Sequence, residues 1–230
     1  MKKITLVCIV LLCLFNVQSF AQAKFGFKVG VNSTSAGVSY EDSDEEEEFR
    51  DAIKPKIGFT AGLAAEFGFS EALSLQTGLM LANKGYKIEY DESGLSIKGK
   101  TSLNYLEIPL NLAYNMGGFQ VHAGPYLGLG LFGKQKYELS DGTDSENGDT
   151  KIKFKNSVSE EDYDDLEDDE DYMRRLDYGL NLGVGYRTGP ALITATYSWG
   201  LANTYPKYEG EDDDEKIRNK GVGLALTFFF

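Results

Sequence analysis

The chain has 230 residues, 36 of them acidic against 23 basic, for a formal charge of −13, and 42% of it is hydrophobic. That acidity excludes a nucleic-acid binder, which needs a basic face for phosphate, and it excludes docking on an anionic lipid surface by net charge alone. One histidine, His122, excludes an imidazole cluster for metal.

The first element is a leader. Met1-Lys2-Lys3 is a positive n-region, Ile4 to Val17 is apolar apart from Thr5 and Asn16, and Ser19-Phe20-Ala21 places small residues at a signal-peptidase site. We read 1–21 as a cleaved signal peptide, with cleavage after Ala23 as the second choice, and 22–230 as one domain. Cys8 and Cys13 both lie in the apolar part of the leader and leave with it.

Eight period-two runs follow, and period two is the mark of a strand with two different faces. They fall at 25–33, 56–68, 72–90, 100–116, 118–132, 174–187, 191–201 and 218–230. In the fourth, Leu106, Ile108, Leu110, Leu112 and Tyr114 alternate with Glu107, Pro109, Asn111 and Ala113. In the last, Val222, Leu224, Leu226, Phe228 and Phe230 alternate with Gly221, Gly223, Ala225 and Thr227. Three connections are short: Gly68-Phe69-Ser70-Glu71, Gly117-Gly118 and Thr188-Gly189-Pro190. The other four are long and acidic. Residues 41–51, 89–92, 138–171 and 209–215 hold all the acids except Glu66, Glu71, Glu107 and Asp177.

Carboxylates confined to connections, with apolar runs between them, imply two solvents. Water takes the loops, and hydrocarbon excludes unpaired anions. Tight turns alternating with long loops are the asymmetry of a transmembrane barrel. The expected fold is therefore all-β, an eight-stranded antiparallel up-and-down barrel with short periplasmic turns and long acidic extracellular loops. An even strand count puts both termini on the periplasmic side. The bulky apolar face meets lipid. Phe25, Phe67, Tyr114, Phe119, Tyr186 and Phe230 land near the short-turn end, and Tyr178, Tyr197 and Trp199 toward the acidic-loop end, as two interfacial aromatic levels. The inward face is rich in Gly, Ala and Ser, which makes room for Lys28, Met80, Glu107, Tyr126 and Arg187 in a lumen that side chains can fill.

LNYLEIPLNLAYN (103–115), AGPYLGLGL (123–131), RLDYGLNLGVGYR (175–187) and GVGLALTFFF (221–230) resemble the PorT-like outer-membrane β-barrel family of Gram-negative bacteria, whose members are commonly labelled porin family proteins. The resemblance covers most of the chain outside the acidic loops, and Tyr105–Leu110 is its most specific part. It implies an outer-membrane location and a barrel fold, with membrane lipid and lipopolysaccharide around the wall. It implies that the terminal Phe230 serves as a signal to the outer-membrane insertion machinery. Some members are linked to protein secretion, and the family fixes no single activity.

The candidate residues point away from catalysis. We expect Lys28, Glu66 and Arg187 to form a charge network near the periplasmic end that blocks flow, with Glu107 as a further paired acid in the lumen. A barrel hydrolase would need His122 beside a serine and a carboxylate. Ser74 and Glu66 are at best candidate lumen neighbours, and no G-x-S-x-G occurs. Asp141, Asp144, Glu146 and Asp149 are the calcium candidates, on ligand type alone. The flanks 134–140 and 150–157 alternate and extend the wall as a hairpin, and 159–171 is a solvated loop. No cofactor is expected. The leading reading is a non-catalytic barrel that anchors acidic surface loops, for envelope integrity or surface interaction. The alternatives are a narrow diffusion channel and, behind it, a lipid-modifying enzyme.

Overall fold

The computed structural model describes residues 23–39, 52–92, 95–141, 144–208 and 216–230. The leader, the acidic runs 41–51 and 209–215 and residues 142–143 lie outside the described residues. In chain order the elements are β1 (Ala23–Ser39), β2 (Ile53–Gly68), β3 (Leu73–Glu92), β4 (Leu95–Met116), β5 (Phe119–Ser140), β6 (Ser145–Phe154), β7 (Ser157–Val158), α1 (Glu160–Asp164), β8 (Glu170–Met173), β9 (Leu176–Thr188), β10 (Ala191–Gly200), β11 (Lys207–Tyr208) and β12 (Lys216–Phe229).

Eight of these strands close on themselves in the order β1-β2-β3-β4-β5-β9-β10-β12 and back to β1. Every neighbouring pair in the ring is antiparallel. Closure leaves no strand edge, which is the condition for a sheet to cross hydrocarbon, where an unpaired backbone group costs several kcal/mol. The seam runs from Gly26↔Phe229 to Ser39↔Lys216, so the first and last strands are in register along their length. The short turns carry left-handed glycines, Gly117 at φ 58°, Gly118 at φ 98° and Gly189 at φ 57°. Residues with positive φ match the twist of a two-residue hairpin.

The outer wall is apolar. Phe25, Tyr114, Phe119, Tyr186 and Phe230 are exposed at the short-turn end, and Tyr178, Tyr197 and Trp199 are exposed further up; Phe67 is half-buried. Phe119 packs edge-on against Tyr186 with ring centroids 5.0 Å apart, and Phe27 packs on Phe230 at 5.7 Å.

The wall rises beyond the ring on one side. Strands β3, β4 and β5 run 20, 22 and 22 residues, against 10 for β10. Above residue 132, β5 leaves β9 and pairs instead with β6, which pairs in turn with β8. Two bulges shape this step. Leu131 is an extra residue between the pairs Tyr105↔Gly130 and Asn104↔Phe132. A second irregularity sets residues 56–59 of β2 against 83–85 of β3, where Gly85 has φ 135°. A bulge exchanges the two faces of the strand that carries it. Lys134 and Lys136 therefore continue the outward face of β5 although they break its alternation. Strands β7 and β11 pair parallel to each other and join two of the long connections. Helix α1 starts on a capping box in which Ser159 and Asp162 accept from each other's backbone N–H groups.

Candidate functional site

The interior of the barrel is a stack of filled layers. At the short-turn end Glu66 takes an ion pair from Arg187 and a longer one, 3.7 Å, from Lys24. Gln76 donates to Glu66 at 2.8 Å and exchanges two hydrogen bonds with Gln120 across the lumen, at 3.0 and 3.1 Å. The Arg187 guanidinium lies 4.9 Å from the Phe229 ring. A mouth of about 430 Å³ opens below this layer, lined by Lys24, Glu71, Ser74 and Asn115 among others.

The next layer is apolar: Ala64, Met80, Leu192 and Phe229 are buried together. His122 sits here, with Nε2 3.0 Å from Thr196 Oγ1. Its ring occupies space that a Cβ on Gly183 would enter, at 2.6 Å, so Gly183 is what admits the imidazole. Ser74 is placed against Asn115 and Glu66 against Arg187. The three residues that a hydrolytic site would need therefore point to different partners.

The central layer is ionic. Lys84 reaches Glu107 of the neighbouring strand at 2.6 Å and, across the lumen, Asp177 at 2.9 Å, and its ammonium lies 4.0 Å from the Tyr126 ring centre. All three strands present these side chains inward: Lys84 on β3, Glu107 on β4 and Asp177 on β9. Lys28 shares a cavity of about 90 Å³ with Lys84 and Glu107. Lys84 thus has two carboxylates as counter-charges to its buried ammonium. Above them Leu103, Tyr105, Ile152 and Met173 form a buried apolar cluster closed by Phe154. Beside it, Ala36, Ile53, Tyr86 and Ile217 form another. The Thr34 hydroxyl donates to the Gly85 carbonyl at 2.8 Å, so β1 satisfies a group at the bulge of β3.

The expected Lys28–Glu66–Arg187 network is corrected by this geometry. Glu66 and Arg187 meet, but the lysine of β1 that joins them is Lys24. Register explains the exchange: Lys24 is directly opposite Glu66, whereas Lys28 is opposite Gly62, roughly 13 Å further along the strand. Glu107 is paired, by Lys84. Lys84 and Asp177 were not singled out from the sequence, although a signal for both was present. Lys84 shares the inward parity of Met80 and Ala82. Asp177 is one of four acids outside the acidic segments, with Glu66, Glu71 and Glu107.

The calcium candidates do not converge. Asp141 accepts from the Asp144 backbone N–H at 2.7 Å in the β5–β6 turn. Asp149 is ion-paired to Lys134, which holds its carboxyl below the usual carboxylate range, and Glu146 lies across from Leu139. The strand of the hairpin spreads residues 145–149 along its length, where a calcium loop would fold its ligands around a point. Among the described residues no group of three or more His, Cys, Asp or Glu side chains could hold a metal ion.

A closed eight-strand ring, an apolar outer wall and a packed lumen define a membrane β-barrel. The chain belongs to the outer membrane protein β-barrel domain family, whose model matches residues 18–205. It is an integral protein of the Gram-negative outer membrane. The PorT-like kinship is a finer assignment than this match makes. Solved structures similar to the chain include Ail, the attachment invasion locus protein of Yersinia pestis, at 15% identity over 90% of this chain and 99% of that one, with a TM-score of 0.40. OprG from Pseudomonas aeruginosa is similar at 16% identity over 93% and 98%, with a TM-score of 0.39. Neisserial surface protein A is similar at 12% identity over 89% and 97%, with a TM-score of 0.36. No curated protein matches the chain.

Proposed function

We propose that this protein is a non-conducting, non-catalytic barrel of the PorT-like kind that anchors its acidic loops at the cell surface. Both termini lie in the periplasm in this reading, and the last strand, ending at Phe230, is what the insertion machinery engages. The observation that carries the reading is the filled lumen. The ionic layer of Lys84, Glu107 and Asp177 spans the bore between two apolar layers. The cavities on either side of Met80 measure only about 90 and 30 Å³. A barrel of eight strands has an interior that side chains can fill. An ion crossing it would have to separate Lys84 from both carboxylates.

A narrow diffusion channel is the second reading, favoured by the cavities stacked on one axis and by the open mouth at the short-turn end. Planar-bilayer recording on the full-length protein separates the two. The anchor reading expects silence from the wild type and openings only when the ionic layer is cut back, as in a Lys84→Ala/Asp177→Ala variant. Steady unitary openings of the wild type would sink it and establish the channel.

A further inference from the structure

We propose that Lys84 and Asp177 condense to an amide, a covalent cross-link through the lumen, with Glu107 as the group that moves the protons. The ion pairs of the central layer are the state before this bond forms. The inference goes beyond the anchor reading and does not depend on which end of the barrel faces outward.

The reacting groups are already together. Lys84 Nζ is 2.9 Å from Oδ2 of Asp177, and Oε2 of Glu107 is 2.6 Å from the same nitrogen. An amine in contact with the carboxyl it would attack is close to a near-attack arrangement, in which reacting atoms are about 3–3.5 Å apart. A second carboxylate on that amine is placed as its general base. Strand register holds all three. Glu107 is opposite Gly128 of β5, and Gly128 is opposite Asp177 of β9, so the two acids stand at one level with no side chain between them. Lys84 comes from further along β3, where it is opposite Leu103. Lys84 and Asp177 are 93 positions apart in the chain. Only the folded wall brings them together, so the link forms after folding.

The site also excludes bulk water. Lys84 and Asp177 are buried, and the ammonium lies 4.0 Å from the Tyr126 ring centre and 5.8 Å from that of Tyr105. Apolar layers containing Met80 and Phe229 on one side and Leu103 and Met173 on the other enclose it. Water favours hydrolysis of an amide and solvates the separated ions, and a closed site weakens both effects.

The reaction balances within the layer. Glu107 carries one proton from the Lys84 ammonium to a carboxylate oxygen of Asp177, which leaves a neutral amine beside a neutral carboxyl. The amine lone pair attacks Cγ of Asp177. Glu107 carries a second proton from the nitrogen to the departing hydroxyl. A C–N bond forms, a C–O bond breaks, one water leaves and Glu107 is ionised again. The adjoining cavity of about 90 Å³ has room for that water, which needs only roughly 10–15 Å³. Glu107 has then lost its cation, and Lys28, on the same cavity, is the ammonium left to balance it.

The test uses the full-length protein, dissolved in urea and then folded in detergent, with intact mass and digest peptides measured by mass spectrometry. The folded wild type, denatured again, should be lighter than its sequence by one water and should yield a branched peptide joining Lys84 to Asp177. Chain kept in urea should show neither. Glu107→Gln should fold, as judged by its shift on cold gels, and form the link on the order of a hundredfold more slowly. Lys84→Arg should form none, because a guanidinium stays protonated. Should Glu107→Gln not fold, Glu107→Asp, which draws the carboxylate back from the nitrogen, should slow the link several-fold. Folded wild type at its full mass, a lost water without that branched peptide, or a link formed at the wild-type rate by the Glu107 variants would overturn the proposal. None of these results bears on the anchor reading, which bilayer recording decides.

Discussion

Lys84 is the residue on which the interior turns. It is buried, as is Asp177 at 2.9 Å, and the half-buried Glu107 lies 2.6 Å away. Desolvated charges are held by their partners, and breaking such a group by removing one member costs about 3–5 kcal/mol. We expect Lys84→Met to approach the upper end of that range, since it leaves two carboxylates facing each other. Asp177→Asn should cost less, because Glu107 remains as the counter-ion. Urea unfolding of the detergent-folded protein measures both, and an equal or reversed order would contradict this account of the layer. His122 stands in contrast. It is buried beside Thr196 in a niche made by Gly183, and its chemistry ends in a single hydrogen bond.

At the scale of elements, the extension built on β5, β6 and β8 is tied down by charge. Glu170, at the start of β8, accepts from Lys153 and Lys151 of β6. Those two hydrogen bonds, Lys153 first, hold its carboxyl down at about pKa 2. A carboxyl depressed on folding contributes stability that is fully present above its unfolded value, near pH 4.5, and is lost as pH falls through about 2. The β6–β8 pairing should therefore loosen between pH 4.5 and 2 while the ring stays intact. NMR signals of Tyr172 and Met173 followed through that window report it. The alternation of 134–140 and 150–157 makes the extension legible as a hairpin, and β5 does continue to Ser140 with β6 beside it. The bulge at Leu131, which shifts the parity of everything after it, is what the spacing within the strand does not show.

For the whole molecule, closure is the decisive event. The β1–β12 seam joins the ends of the chain, and its last contacts are Phe230 N–H to the Phe25 carbonyl at 2.8 Å and Phe230 on Phe27. Long-range pairing of this kind is slow and leaves unpaired edges until it is complete. Deleting Phe230 should slow assembly in liposomes several-fold and leave more heat-unmodifiable, unfolded protein on cold gels. Assembly at the wild-type rate would remove Phe230 from any role in closing the barrel.

The wall is written in local pattern. Period-two apolar runs, glycine on the second face and acids kept to the connections are local statements about which solvent each side chain meets, and all eight ring strands were legible from them. Aromatic positions such as Phe119, Tyr186 and Trp199 were legible for the same reason. The partners inside and above the wall come from the folded arrangement of the strands. Whether Glu66 meets Lys24 or Lys28 depends on strand register, and whether Lys84 reaches Asp177 depends on curvature that brings β3 across from β9. Whether Lys100 is paired with Lys87 and Lys136 depends on where the bulges fall in neighbouring strands. Those are relations between residues far apart in the chain, and no spacing within a single strand encodes them.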